Sequence, residues 1–270
     1  MNKIILSFLL AGGLALWSAP LGAVEIVGHR GAAFVAPENT VVSMKKAWEM
    51  DVDAGECDVF ISSDRRIMVN HDETTLRTSG VDLIIAKTSS DELRKLDVGA
   101  WKGLQFKGEK MPFLEEILET IPAGKVLFVE FKAGVEILPT LQEVVEKSGK
   151  IDQLKFISFD FDTICRAKKM MPNVPAYYLL ETEEDPKTHA YPPFDVAVLK
   201  KVKENNLQGV DVYHKSLNET FVKAVHDMGM QIYVWTVDRP LDAFRMKKLG
   251  VDGITTNRPD TIRRTVFLGE

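Results

Sequence analysis

Eight short apolar runs, each set off from the next by a stretch of helical spacing, constrain this chain more than any other feature. The runs are EIVGH (25–29), GECDVF (55–60), VLFVEF (126–131), KFISF (155–159), AYYLL (176–180), GVDVY (209–213), IYVWTV (232–237) and DGITT (252–256). Between them the spacing predicts helices over 41–50, 113–121, 137–149, 162–170, 195–206, 219–228 and 240–248. Strand and helix in alternation mark βα units and a parallel sheet. Eight strands with helices between consecutive ones fit the α/β class as a closed (β/α)8 TIM barrel, and 270 residues suit one barrel of ~250 residues. The doubly wound alternative lacks a Gly-rich phosphate loop here.

One connection breaks the rhythm. About fifty residues, from Ser62 to Pro112, separate the second strand from its helix, too many for a structureless loop in a compact domain. The excess predicts a small insertion after the second strand, about 63–112, on the C-terminal face of the barrel. The acidic loop ETEEDPKTHAYPP (181–193) is expected on that face too.

The first residues have another character. Lys3 precedes fourteen uncharged residues, IILSFLLAGGLALW, and then SAPLGA, whose small residues suit cleavage near Ala23. The run is shorter than the ~20 apolar residues that span a bilayer, so 1–23 is predicted to be a secretory signal peptide. The mature protein would begin near Val24, periplasmic or secreted, with no stable membrane insertion after cleavage. A net charge of -5 without a basic cluster gives no sign of a nucleic-acid partner. An oxidising compartment leaves pairing of Cys57 and Cys165 open, although they fall on elements that a barrel would not place side by side.

Alternation along AGECDVFIS (54–62) puts Glu56, Asp58 and Phe60 on one face and Cys57, Val59 and Ile61 on the other. In a barrel of this kind, chemistry collects at the C-terminal ends of the strands. His29 and Arg30 end the first strand, Glu130 and Lys132 alternate near the end of the third, and His71 follows the apolar piece IMV of the insertion. Three inward carboxylates cannot all ionise in a partly dry cavity without compensation: either their pKa values rise or a cation sits among them. Oxygen ligands without a nearby Cys favour Ca2+ or Mg2+ over zinc. Taken singly, Glu130 and Lys132 also read as a structural ion pair, and His29 as an ordinary strand-end residue. His189, His214 and His226 lack comparable company. Asn218-Glu219-Thr220 reads either as a glycosylation sequon or as a helix N-terminus.

Together, "VGHRG" followed by "PENT", then "GECDVFISSDRRIMVNHD" and "LFVEFK", resemble the glycerophosphodiester phosphodiesterase family. Weaker similarity runs through "FISFD", "YVWTVD" and "DGITTNRP", from about Val24 to Pro259. The resemblance implies a TIM barrel with an insertion after its second strand, and metal-dependent hydrolysis of glycerophosphodiesters to glycerol 3-phosphate and an alcohol. It implies that His29 and His71 are the acid/base pair and that Glu56, Asp58 and Glu130 ligate the divalent cation. Arg30 and Lys132 match phosphate-contacting positions, and Trp235 the aromatic on the glycerol side. In some relatives the second His is itself described as a ligand. "SSDRR" replaces a more usual Thr-x-Asp-Gly turn, a departure that bears on turn geometry. Two other readings stay open: a lysophospholipase D-like phosphodiesterase, and a non-catalytic glycerophosphodiester-binding protein.

Overall fold

The computed structural model describes residues 24–268, so the expected signal peptide lies outside the described residues. The strands are β1 (Glu25–Gly28), β2 (Ala54–Ile61), β3 (Ile67–Val69), β4 (Val126–Phe131), β5 (Leu154–Ser158), β6 (Ala176–Leu180), β7 (Gly209–Tyr213), β8 (Gln231–Trp235) and β9 (Gly253–Thr256). Eight of them run parallel in the order β1-β9-β8-β7-β6-β5-β4-β2, and β1 pairs back onto β2 to close the barrel. The expected TIM barrel is therefore the fold. The ninth strand, β3, pairs antiparallel with the end of β2 and is formed by the apolar piece IMV.

The helices are α1 (Val41–Glu49), α2 (Leu76–Ser79), α3 (Ser90–Leu93), α4 (Leu114–Glu119), α5 (Leu138–Ser148), α6 (Phe161–Met170), α7 (Val198–Glu204), α8 (Glu219–Asp227), α9 (Pro240–Leu249) and α10 (Pro259–Leu268). The helix expected from 195 starts only at Val198, because Asp195 first closes a turn by accepting the Ala197 N–H (2.9 Å). Asn218 caps α8, accepting the Phe221 N–H at 2.9 Å, which gives that residue its helix-start reading. No helix among the described residues is long and apolar enough to cross a membrane.

Strand alternation sorts the core into two layers. Outward residues such as Ile26, Val129, Phe156 and Val234 pack under the helices, and Cys57 and Cys165 lie buried in that layer as free thiols. Cys57 lies on β2 and Cys165 on α6, the helix that follows β5, and β4 stands between β2 and β5, so the two thiols fall on elements that are not neighbours. Inward residues fill the barrel: Phe128, Tyr177 and Tyr233 meet with ring centroids 5.0–6.1 Å apart. Below them Lys155 Nζ donates to Tyr233 Oη (2.6 Å) and Glu25 Oε2 (3.0 Å), so the N-terminal end is plugged. Open space is left at the C-terminal mouth.

One inward residue is poorly accommodated. Asp211 on β7 is 2% exposed, and its Oδ1 has no hydrogen-bond partner among the described residues. Burial pushes its carboxyl up to about 8. Unfolded aspartates titrate near ~3.9. Between those values the folded chain keeps a proton that the unfolded chain releases, so stability falls as pH rises through this window. Asp211→Asn is expected to match the parent in urea unfolding at pH 4 and to exceed it at pH 8. An equal gain at both pH values would contradict this account.

The insertion has its own small core. Phe60 extends beyond the barrel rim and packs with Met68, Ile85, Leu93, Val98 and Met111. Polar ties replace long elements: Asp64 accepts from Ser90 N (2.8 Å) and Oγ (2.6 Å), and Asp97 from the N–H groups of Gly99, Ala100 and Gly108 (2.9 Å each). The unusual SSDRR turn places Arg65 in the left-handed region at φ 62°. A side chain there costs roughly 1–2 kcal/mol that glycine would not incur.

Candidate active site

Glu56 and Asp58 are two residues apart on β2, so both side chains enter the barrel mouth, and parallel register sets Asp58 beside Glu130 of β4. Ligand oxygens from the three lie within 4.8 Å of one another, and all three residues are buried. Glu56 Oε1 has no hydrogen-bond partner among the described residues. Asp58 Oδ1 and Glu130 Oε1 face the Lys132 ammonium, at 3.2 and 2.5 Å. The ion-pair reading of Glu130 and Lys132 thus describes a real contact, but Lys132 serves two carboxylates at once.

Positive charge falls one short. Arg30 Nε lies 3.3 Å from Asp58 Oδ2, and with Lys132 it supplies two cations against three carboxylates. The cluster divides accordingly. Burial alone would raise Asp58, but Lys132 and Arg30 outweigh it and hold the carboxyl well below the usual range. Burial, compounded by the Asp58 charge, pushes Glu130 up to about 8 and Glu56 well above its ordinary value. Without another cation, Glu130 favours its protonated form at neutral pH, and Glu56 is raised in the same direction by burial and the Asp58 charge. An all-oxygen donor set with an unpartnered buried oxygen and a missing positive charge fits a hard divalent ion.

The segment following β1 wraps this cluster. Arg30 adopts φ 51° and Gly31 φ 85°, a left-handed turn that points the Arg30 N–H at Glu56 Oε2 (2.8 Å). A Cβ on Gly31 would lie 2.5 Å from the Ser43 backbone, so only glycine fits this turn. In PENT, Glu38 accepts from Arg30 Nη1 (2.7 Å), Asn39 donates to Asp58 Oδ2 (2.7 Å) while accepting the Asp58 N–H (3.1 Å), and Thr40 caps α1. The motif is therefore a brace for the carboxylates and for Arg30.

Each imidazole is fixed through Nδ1. Asn257 donates its amide to Asp238 Oδ2 (2.7 Å), which turns Asn257 Oδ1 toward His29 Nδ1 (2.8 Å) and makes that ring nitrogen the donor. His29 Nε2 is left facing the cluster, 4.0 Å from Glu56 Oε2. Burial, reinforced by Arg30, lowers His29 to about 4, so the ring is neutral at neutral pH. His71, delivered by the insertion, holds Asp72 Oδ1 through Nδ1 (2.7 Å), and burial lowers its pKa as well.

Arg77 of α2 joins the two halves of the site. Its Nε donates to Asp72 Oδ2 (2.6 Å), and both terminal nitrogens reach Glu38 (2.8 Å each). An unbroken line of charges thus runs from His71 through Asp72, Arg77 and Glu38 to Arg30. Arg77→Met should leave the His71 ring free to turn and reduce kcat by up to about 10²-fold, the scale of a small misplacement at a reacting centre. KM should change much less, and Arg77→Lys should recover part of the loss; an unchanged kcat would refute the coupling.

Trp235 stands apart from these ionic contacts. Its ring packs on Phe159 (5.6 Å, edge-on) and Tyr213 (5.3 Å), and its Nε1 donates to the Asp211 carbonyl (3.3 Å). Lys132 Nζ lies 5.9 Å from the Phe159 centroid, which links Trp235 to the cluster across one ring. The sequence reading assigned no part to Glu38, Asn39, Asp72, Arg77, Asp238 or Asn257. PENT, the Asp after His71 and the Asn of TNRP were the available signals. Asp238 ends the YVWTVD motif, and only Arg77 lay without a neighbouring cue.

The family model for the glycerophosphoryl diester phosphodiesterase family matches residues 29–261. A glycerophosphodiester phosphodiesterase of Caldanaerobacter subterraneus is 30% identical, with 90% of this chain and 98% of that protein covered. One from Bacillus subtilis is 28% identical, with 97% of each covered. The structure of an Oleispira antarctica phosphodiesterase in complex with the product sn-glycerol-3-phosphate superposes with a TM-score of 0.80 at 25% identity, covering 90% of this chain and 96% of that one.

Proposed function

The chain belongs to the glycerophosphoryl diester phosphodiesterase family, and from that premise we propose that it hydrolyses glycerophosphodiesters to glycerol 3-phosphate and an alcohol using Ca2+ or Mg2+. The observation that carries the reading is the buried set Glu56, Asp58 and Glu130, one positive charge short of balance and flanked by the His29 imidazole, whose Nε2 makes no hydrogen bond among the described residues and lies 4.0 Å from Glu56 Oε2. These three side chains would hold the ion, which when bound supplies positive charge to a phosphoryl oxygen.

The chain's own residues account for the remaining steps. One imidazole, neutral at the outset, accepts the proton of the attacking hydroxyl as its oxygen bonds to phosphorus; the other, entering as imidazolium, gives its proton to the departing alcohol oxygen as the P–O bond to that oxygen breaks. Two such groups supply roughly 10⁴–10⁸-fold, at about 10²–10⁴ each. Enzymes reach ~10⁶–10¹⁷-fold and beyond for phosphate esters. Fixed charge must therefore contribute the rest, and Arg30 and Lys132, both immobilised by carboxylates, are placed to neutralise the phosphoryl oxygens. Trp235 bounds the glycerol side. The apolar leader over 1–23 supports action in the periplasm or outside the cell.

Purified protein should release glycerol 3-phosphate from glycerophosphocholine and glycerophosphoethanolamine, stop when the divalent ion is chelated, and resume when Ca2+ or Mg2+ is returned. Turnover of lysophospholipid alone would favour the lysophospholipase D-like reading. Tight binding of the diesters without turnover would mark a binding protein.

A further inference from the structure

A phosphodiester has two arms, and two grooves open on opposite sides of the carboxylate cluster. One, of about 340 Å³, is lined by Glu130, Lys132 and Phe159, on the side of Trp235. The other, of about 440 Å³, lies among the segment after β1, the insertion and the loops after β8 and β9. It shares Asn257 with His29 and Glu38 with Arg30, so it begins where the reacting groups end. We infer that this second groove receives the alcohol arm of the substrate and selects alcohols that carry a carboxylate or phosphate over those that carry a quaternary ammonium. The inference rests on the hydrolytic function proposed above and names its substrate class.

Two exposed aromatic rings in the groove, Phe34 and Trp101, would by themselves suit a choline-like cation. Both are already matched with cations of the chain. The Arg258 guanidinium sits 3.7 Å from the Phe34 centroid, and Lys102 Nζ lies 5.4 Å from that of Trp101. The acidic groups of the groove are engaged elsewhere: Glu38 holds Arg30 and Arg77, and Asp238 accepts from Thr256 Oγ1 (3.0 Å) and from both nitrogens of Asn257 (2.8 and 2.7 Å). Among the described residues Lys102 Nζ makes one hydrogen bond, to the Ala33 carbonyl (2.6 Å). Neither Lys102 nor Arg258 forms an ion pair among the described residues, whereas Arg30, Arg77, Lys132 and the third cation of the groove, Arg239, do. The groove therefore presents two positive charges outside any ion pair beside aromatic walls, with Glu38 acting on Lys102 only at longer range, and these charges attract an anion and repel a cation.

The test uses three glycerol phosphodiesters of similar length, made with 3-hydroxypropionate (anionic), 3,3-dimethylbutanol (neutral) and choline (cationic). The intact enzyme should show kcat/KM in the order anionic, neutral, cationic, with at least tenfold between the ends. In the Lys102→Gln/Arg258→Gln double variant that ratio should fall at least tenfold, and because it is a ratio it is insensitive to any misfolded fraction. A parent enzyme that prefers choline, or a preference that survives both substitutions, overturns the inference and leaves the hydrolytic function standing. Failure to cleave any of the three overturns both.

Discussion

His29→Ala and His71→Ala should each lower kcat by about 10²–10⁴-fold, the range for losing one positioned acid or base. The expectation rests on how each ring is held. Asn257 and Asp238 commit His29 Nδ1 as a donor, so Nε2 is the atom left for proton transfer, and Asp72 does the same for His71. Alanine removes the atom proposed to transfer the proton while the ion pairs of Arg30, Glu38 and Lys132 remain. Thermal unfolding should therefore shift little, and KM should stay within a few-fold. The double variant should fall further than either single one if the two rings serve opposite ends of one displacement. Near-parental kcat in either single variant, measured on the folded protein, would remove that residue from the mechanism.

The second expectation concerns the metal-free protein, whose stability should fall as pH rises from about 6.5 to about 8, above the range in which the buried rings of His29 and His214, both lowered to about 4, contribute the opposite slope. Glu130 titrates near ~4.3 when unfolded, and burial beside Asp58 pushes it up to about 8 in the fold. Between these values the folded chain binds a proton that the unfolded chain has lost, so stability declines by at most about 1.4 kcal/mol per pH unit for this group. Glu56, raised for the same reasons, acts in the same direction. A divalent ion bound there would replace those protons, so saturating Ca2+ or Mg2+ should flatten the dependence, and ion affinity should strengthen toward pH 8. Glu56→Gln should stabilise the metal-free protein at pH 8 while abolishing turnover. Asp58→Asn should instead destabilise it, since it strips Arg30 and Lys132 of their shared counter-charge. Urea unfolding at pH 5, 6.5 and 8, with chelator or with the ion, checks all of this. Metal-free stability that climbs between pH 6.5 and 8 would contradict it.

How much of this was legible in the sequence follows from the range of the forces involved. Strands such as VLFVEF and GVDVY declare themselves because each must bury one or both faces, and burial leaves a pattern within six residues. The convergence of Glu56, Asp58 and Glu130 was readable for the same reason: alternation fixes their facing, and parallel register brings adjacent strands level. The four-residue helices α2 and α3 leave no periodicity, and α10 lies after the last strand, where no later strand called for a helix. The braces were hidden more deeply. Arg77 reaches Glu38 across thirty-nine positions and Asn257 reaches His29 across 228, and no local pattern encodes such pairs. Motif resemblance marked PENT as significant, but only the folded chain assigns Asn39 to Asp58 and Glu38 to two arginines.

The account depends most on a divalent ion among three side chains. Crystals grown with Mn2+ as a scattering substitute should give one strong anomalous peak bonded to carboxylate oxygens of Glu56, Asp58 and Glu130, at distances of roughly 2.0–2.6 Å. An active enzyme whose crystals place no ion at those carboxylates would contradict it.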